Sequence, residues 1–276
     1  MRAHRIAALL ILLSSLATAA EPPQRVVSVN LCSDQLLLML ADPEQVASVS
    51  YLSRDTDSSF VADQANSYPV NRARAEEIIR LRPDLVLVTP HDNPRLRTTL
   101  EQLGYPLHSL SLGHSFNDIV EDIRQLATRL SQRERGESLI QQMQQRLRSK
   151  AEEPTHPPTA IFLQPRGYTS GSDTLQDEAL RLAGWRNLAT QHGVKGYSPV
   201  PLEKVLYWQP ETIFTSTYSG SGDSLAERQL RHPALQRLLA NNPMVEIPYK
   251  HWICPGPMLA DAVELLQKAR VRERDR

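Results

Sequence analysis

The chain has 276 residues, with 31 Lys and Arg balanced by 31 Asp and Glu, and 41% of it is hydrophobic. A zero formal charge and an ordinary apolar share exclude a disordered chain and a broad electrostatic nucleic-acid footprint, so no nucleic-acid partner is expected. Two cysteines exclude a disulfide-rich scaffold and a four-cysteine zinc site.

Residues 1–20 read as a secretory signal peptide: Arg2 and Arg5 form a positive region, Ile6–Leu13 an apolar stretch, and Ala17-Thr18-Ala19 an A-x-A cleavage site. That stretch is too short to span a bilayer, and no later run reaches the roughly 18 apolar residues a span needs. The mature chain is therefore expected to be soluble, exported, slightly acidic and a monomer in its free state. No cysteine stands at the cleavage site to take a lipid, which points to the periplasm.

Short β-branched runs then alternate with helical patterns, at Arg25–Val29, Val46–Ser50, Leu85–Thr89, Ala160–Leu163, Thr212–Thr215 and Met244–Ile247. The alternation predicts an α/β fold on parallel strands. Ligands of open α/β sheets bind outside the carboxyl ends of strands, so the loops after these runs are where function is to be sought.

One stretch interrupts the pattern. From Ser115 to Glu153 apolar residues recur at helical spacing, at Ile119, Ile123, Leu126 and Leu130 and again at Leu139, Ile140, Met143 and Leu147. Ser115 and Asp118 fit a capping box, and Gly136 is expected to separate two helices. A helix over Ser131–Ala151 would span roughly 30 Å, enough to join two lobes as a rod, although a surface hairpin fits the pattern as well. The tail Arg270–Arg276 lacks apolar periodicity and is expected to fray.

An internal duplication is the strongest feature. Ala75–Thr89 reads AEEIIRLRPDLVLVT and Leu202–Ser216 reads LEKVLYWQPETIFTS, with Glu76 over Glu203, Pro83 over Pro210 and Asp84 over Glu211 at a constant offset of 127. Each unit reads as helix, turn, strand, since the residue before proline avoids the helical region. Two copies imply two Rossmann-like lobes with parallel sheets: residues 21–115, a helical connector 116–153, and residues 154–276. A cleft between them is the expected ligand site. Glu76 and Glu203 open their helices, where the helix dipole favours a carboxylate, and their symmetric placement suits docking to a partner with paired basic pockets.

Arg72, Arg74 and Arg166 lie in predicted cleft loops, where guanidinium groups can meet the carboxylates or phosphate of a ligand. Cys32 follows the first strand and Cys254 precedes the last helix. A bridge between them needs Cα atoms within about 7 Å, so the sequence leaves the pairing open. The histidines form no metal-binding spacing, although His91, His114 and His251 follow strands. No nucleophile elbow, P-loop or dinucleotide fingerprint occurs, so neither an enzyme nor a cofactor is expected.

The pieces RVVSVNLCSDQLLLMLA, RAEEIIRLRPDLVLV, GYTSGSDTLQDEALRLAGWRNLA, YSPVPLEKVLYWQPETIF and PGPMLADAVELLQKA, in this order, make the chain resemble the periplasmic substrate-binding proteins of iron-chelate and vitamin B12 ABC importers. The resemblance implies lobes joined by a helical backbone that move little on binding. It also implies a large metal chelate as ligand, a corrinoid such as vitamin B12 or a ferric siderophore. Glu76 and Glu203 would pair with arginines of an ABC permease dimer that works with its ATPase. Tyr168, Tyr197 and Trp252 stand where cleft aromatics of vitamin B12 binders are expected, whereas Val70, six before Glu76, replaces one in the first lobe. A zinc, manganese or haem binder of the same fold, or a sensor that serves no transporter, fits the same residues.

Overall fold

The computed structural model describes residues 21–148, 156–216, 232–239 and 244–274; the expected signal peptide lies outside them. The first lobe holds five parallel strands, β1 (Val26–Ser28), β2 (Val46–Ser50), β3 (Val70–Asn71), β4 (Leu85–Val88) and β5 (Leu107–Ser109), in the order β3-β2-β1-β4-β5. Helices α1 (Leu31–Leu40), α2 (Ala62–Ala65), α3 (Ala75–Arg80) and α4 (Pro94–Gln102) connect them. Asn30 caps α1 by accepting from the Ser33 amide, and Asn93 with Pro94 opens α4.

Two helices follow, α5 (Phe116–Arg129) and α6 (Arg133–Arg148). The second lobe adds β6 (Thr159–Phe162), β7 (Tyr168–Ser170), α7 (Leu175–Leu182), β8 (Arg186–Asn187), α8 (Leu188–Gln191), β9 (Tyr197–Pro199), α9 (Leu202–Trp208), β10 (Thr212–Thr215), α10 (Pro233–Leu239), β11 (Met244–Glu246) and α11 (Leu259–Arg274). Four of these strands form a parallel sheet, β11-β10-β6-β8, and β7 pairs antiparallel with β9 in a separate ribbon.

The duplication holds at backbone level. Strands β4 and β10 occupy positions 85–88 and 212–215, and helices α3 and α9 both begin at the shared offset. Arg82 (φ 45°) and Gln209 (φ 50°), each directly before the proline, both take the left-handed region that ends the helix. The acidic residue after the proline has a shared task. Asp84 accepts from the backbone amides of Gln24 (2.6 Å) and Arg25 (2.9 Å), fixing the start of β1. Glu211 accepts from the amide and the hydroxyl (2.7 Å) of Thr159, fixing the start of β6.

Strand alternation sorts the core. Val27, Val86 and Val88 face a cluster with Ile78, Leu96 and Leu100 on one side of the first sheet. Ile161, Leu163 and Ile213 face Val205 and Leu235 on one side of the second. The opposite parity, Val26, Leu85 and Leu87 in one lobe and Ala160, Phe162 and Phe214 in the other, belongs to a single cluster that also takes in α5, α6 and α11. Both sheets are therefore covered on both faces, which all-parallel sheets require.

The connector is a pair of helices, of which the second spans from one lobe to the other. The capping box forms, with Ser115 Oγ accepting from the Asp118 amide and Asp118 Oδ2 accepting from the Ser115 amide (3.0 Å). The break falls at Leu130–Gln132, where Ser131 has φ 61°, and not at Gly136. Gly136 instead sits inside α6 against α5, where an added Cβ would lie 2.5 Å from Ala127 Cβ. Helix α6, about 24 Å long at 1.5 Å per residue, is held at both ends. Arg135 donates to Leu40 O and Asp42 Oδ1 of the first lobe, and Arg146 to Asp261 and Glu264 on α11. Of the tail expected to fray, residues 270–274 continue α11, and residues 275–276 lie outside the described residues.

Candidate ligand-binding site

The loops that follow β1 and β11 at their carboxyl ends meet. Cys32, in the first turn of α1, is bridged to Cys254 with Cα atoms 5.1 Å apart, so the pairing left open by the sequence is made. Beside it Phe60 packs edge-on against His251 at 5.0 Å between ring centroids, and Lys250 Nζ lies 5.1 Å from the Phe60 ring. A disulfide, a ring pair and a cation–π contact thus cross between the lobes at the ends of their strands. Burial holds the His251 imidazole below its ordinary pKa, which keeps it neutral.

On the first lobe the wall is Tyr51, the residue directly after β2, 46% exposed with the Arg72 guanidinium 4.9 Å from its ring centroid. The sheet register explains the pair. Ser50 of β2 stands opposite Asn71 of β3, so the next residues of the two parallel strands emerge side by side. The Arg72 amide donates to Glu77 Oε2, which holds the loop onto α3, and the exposed Arg74 precedes that helix at its N-cap. Val70 is also exposed on the edge strand.

On the second lobe the wall is the β7–β9 ribbon. Tyr168 stands opposite Pro199 and Tyr197 opposite Ser170, so the two half-exposed tyrosines are diagonal neighbours on one ribbon face. The Tyr197 hydroxyl donates to Gln176 Oε1 at 2.7 Å. Burial of that end of the ring, with Tyr249 nearby, pushes the phenol above its ordinary value, so it stays neutral. Arg166 is exposed in the turn before Tyr168, in a left-handed conformation (φ 63°) that is strained for a non-glycine residue.

Trp252 is placed differently from the expectation that it contacts ligand. It is 6% exposed and packs edge-on against Phe162 at 5.0 Å within the shared core. The turn Tyr249–His251 reverses the chain just before it, so Tyr249 approaches Tyr197 while the indole turns inward. The sequence reading overlooked Tyr51, Phe60 and Tyr249. Tyr51 and Tyr249 had a usable signal, since they follow the runs Val46–Ser50 and Met244–Ile247 directly or one residue on, whereas Phe60 follows no such run.

Glu76 and Glu203 lie in the first turns of α3 and α9, both exposed and both at the shared offset. One turn beyond Glu203, Tyr207 is 82% exposed. Its counterpart in the duplication is Arg80, whose Nε donates to Glu76 O. Among the described residues no group of three His, Cys, Asp or Glu is close enough to hold a metal ion, and His91 and His114 are exposed. No helix among them is long and apolar enough to cross a membrane.

Two parallel-sheet lobes fixed by a helical pair, in a chain of this kinship, define a substrate-binding protein rather than an enzyme. The chain belongs to the periplasmic binding protein family, which it matches over residues 26–242. It is 27% identical over 229 residues to the vitamin B12-binding protein of Vibrio parahaemolyticus, covering 81% of this chain and 82% of that one. Among solved structures it is similar to the periplasmic haem-binding protein HutB of Vibrio cholerae, with a TM-score of 0.75, 22% identity and coverage of 90% and 98%. It is also similar to an ABC-type Fe3+-hydroxamate transport protein of Saccharomonospora viridis, with a TM-score of 0.70, 19% identity and coverage of 90% and 93%.

Proposed function

We propose that the cleft captures a metal chelate, a corrinoid in the first place and a ferric siderophore as the alternative, and hands it to an inner-membrane ABC permease dimer driven by its ATPase. The observation that carries this reading is the pair of aromatic walls, Tyr51 under Arg72 on one side and Tyr168 with Tyr197 on the other. Broad, weakly polar rings suit the faces of a large planar or cage-like ligand. Arg72, Arg74 and Arg166 at the rim suit its carboxylates or phosphate through forked hydrogen bonds. Kinship with vitamin B12-binding proteins supports the corrinoid. Haem, a flat ring with two carboxylates, fits the same features and the likeness to HutB.

On this reading residues 1–20 are cleaved on export, residues 21–115 and 154–276 are the two lobes, and residues 116–153 are the connector. Glu76 and Glu203 are the docking carboxylates, one per lobe. Titrating the intrinsic fluorescence of the mature protein with cyanocobalamin, haem and a panel of ferric siderophores tests the ligand. Silence toward every chelate with a response to free zinc or manganese would overturn it. For docking, the double reversal Glu76→Lys with Glu203→Lys is expected to leave ligand affinity within about twofold and to abolish transport, because like-charge contacts cost on the order of several kcal/mol. Loss of ligand binding with docking intact would assign those carboxylates to the pocket instead.

A further inference from the structure

Beneath the Tyr51 wall lies a carboxylate that the chelate reading does not use. Asp34, in the first turn of α1, has no exposed surface. It accepts from both the backbone amide (2.9 Å) and the hydroxyl of Ser50, the last residue of β2 and the one that precedes Tyr51. Ser50 O in turn accepts from Ser53 Oγ at 2.7 Å, so the turn that presents Tyr51 is tied down at its start and again within it. The groups facing Asp34 are Ser28 on β1, itself paired with Ser33 Oγ, Ser50 on β2, and Asp92 in the loop after β4. Asp92 is held by Asn30 Nδ2 and the Thr89 amide. No cation among the described residues pairs with Asp34.

A buried carboxylate without a cation opposes folding, and an apolar or neutral residue would serve packing better. Besides a bond from Ser28, two of its bonds converge on Ser50, the residue that positions the aromatic of the first wall. We propose that Asp34 is a positioning residue of the chelate site, whose carboxylate form holds the Ser50–Tyr51 turn in its binding geometry and makes chelate affinity fall as the surroundings acidify.

The reason is hydrogen-bond chemistry. An ionised carboxylate accepts from both Ser50 donors in charge-assisted bonds about twice as strong as neutral ones. A protonated Asp34 keeps one weaker acceptor toward the amide and turns its second oxygen into a donor, which the Ser50 hydroxyl must rotate to meet. Burial raises the Asp34 pKa to about 6, with Asp92 adding to the shift, so the change falls within a pH range that a periplasm meets. Binding that favours the ionised form must, by reciprocity, release a proton.

The inference rests on the chelate reading, and its test keeps the two apart. Cyanocobalamin and haem are titrated into the mature wild-type protein and into Asp34→Asn from pH 5 to 8, by calorimetry in two buffers of different ionisation enthalpy. The wild type is expected to lose affinity about threefold to tenfold below a midpoint near 6, from weakening of charge-assisted bonds, and to release protons on binding there. Asp34→Asn is expected to bind with neither the transition nor the proton release. Ser50→Ala, which removes one bond to the carboxylate, is expected to move the midpoint to higher pH and covers the case in which Asp34→Asn fails to fold. Binding that is independent of pH in the wild type, or an unchanged transition in both variants, would overturn the inference. A folded wild type that binds neither probe at any pH overturns the chelate reading itself.

Discussion

Tyr51 and Trp252 show how the same residue class is used in two ways. Tyr51 projects from the end of β2 under a guanidinium, while Trp252 is sealed against Phe162. Tyr51→Ala is therefore expected to weaken chelate binding about tenfold with little change in unfolding, as lost aromatic contact and buried area predict. Trp252→Ala is expected to cost about 3–5 kcal/mol of stability, typical of a large core truncation, and denaturant unfolding measures it. Asp34 adds a pH dependence of stability whose sign is fixed by its shift. Its pKa in the fold, about 6, lies above the ordinary carboxylate value of 3.8, so the stabilisation from protonation is present below the lower value and lost as pH rises through about 6. Asp34→Asn is expected to stabilise the fold at pH 7.5 by up to about 3 kcal/mol and to leave it unchanged at pH 3.5. Equal effects at both pH values would contradict the shift.

Among the elements, the α5–α6 pair tests whether packing or propensity decides. Alanine in place of glycine inside a helix normally stabilises by about 1 kcal/mol. Gly136→Ala is expected to do the opposite, since its methyl would stand 2.5 Å from Ala127 Cβ and must push the helices apart. A rise in melting temperature would show that the pair separates at little cost. The ends of α6 have a different character. Arg135 and Arg146 are two-fifths exposed, so each ion pair adds little to stability, and their effect is to set the helix's register against the two lobes.

At the scale of the whole molecule, the Cys32–Cys254 bridge closes a loop of 222 residues and ties the lobes at the ends of their strands. The chain-entropy model assigns such a loop about 5 kcal/mol, and measured bridges commonly give 2–4. Replacing both cysteines by serine is expected to lower stability by about that amount. The ring contact of Phe60 with His251 and the two anchors of α6 remain, so the lobes should stay within a few degrees of their present setting. Small-angle scattering with and without chelate, on both proteins, checks this. A large closing motion confined to the serine variant would identify the bridge as the only restraint.

What the sequence determined by itself was whatever repeats or alternates along the chain. The two units at a constant offset, with proline and an acidic residue at fixed places, specified paired helix–turn–strand motifs, because local sterics act within a few residues. Ser115 with Asp118 likewise specified the start of the connector. What only the tertiary structure decided depended on residues far apart in the chain. It chose the break at Ser131 over Gly136 because Gly136 was needed for close approach to Ala127. It joined Cys32 to Cys254 because the loops after β1 and β11 converge. It turned Trp252 inward and brought Tyr51 beside Arg72, since burial and strand register are set by neighbours that no local pattern names.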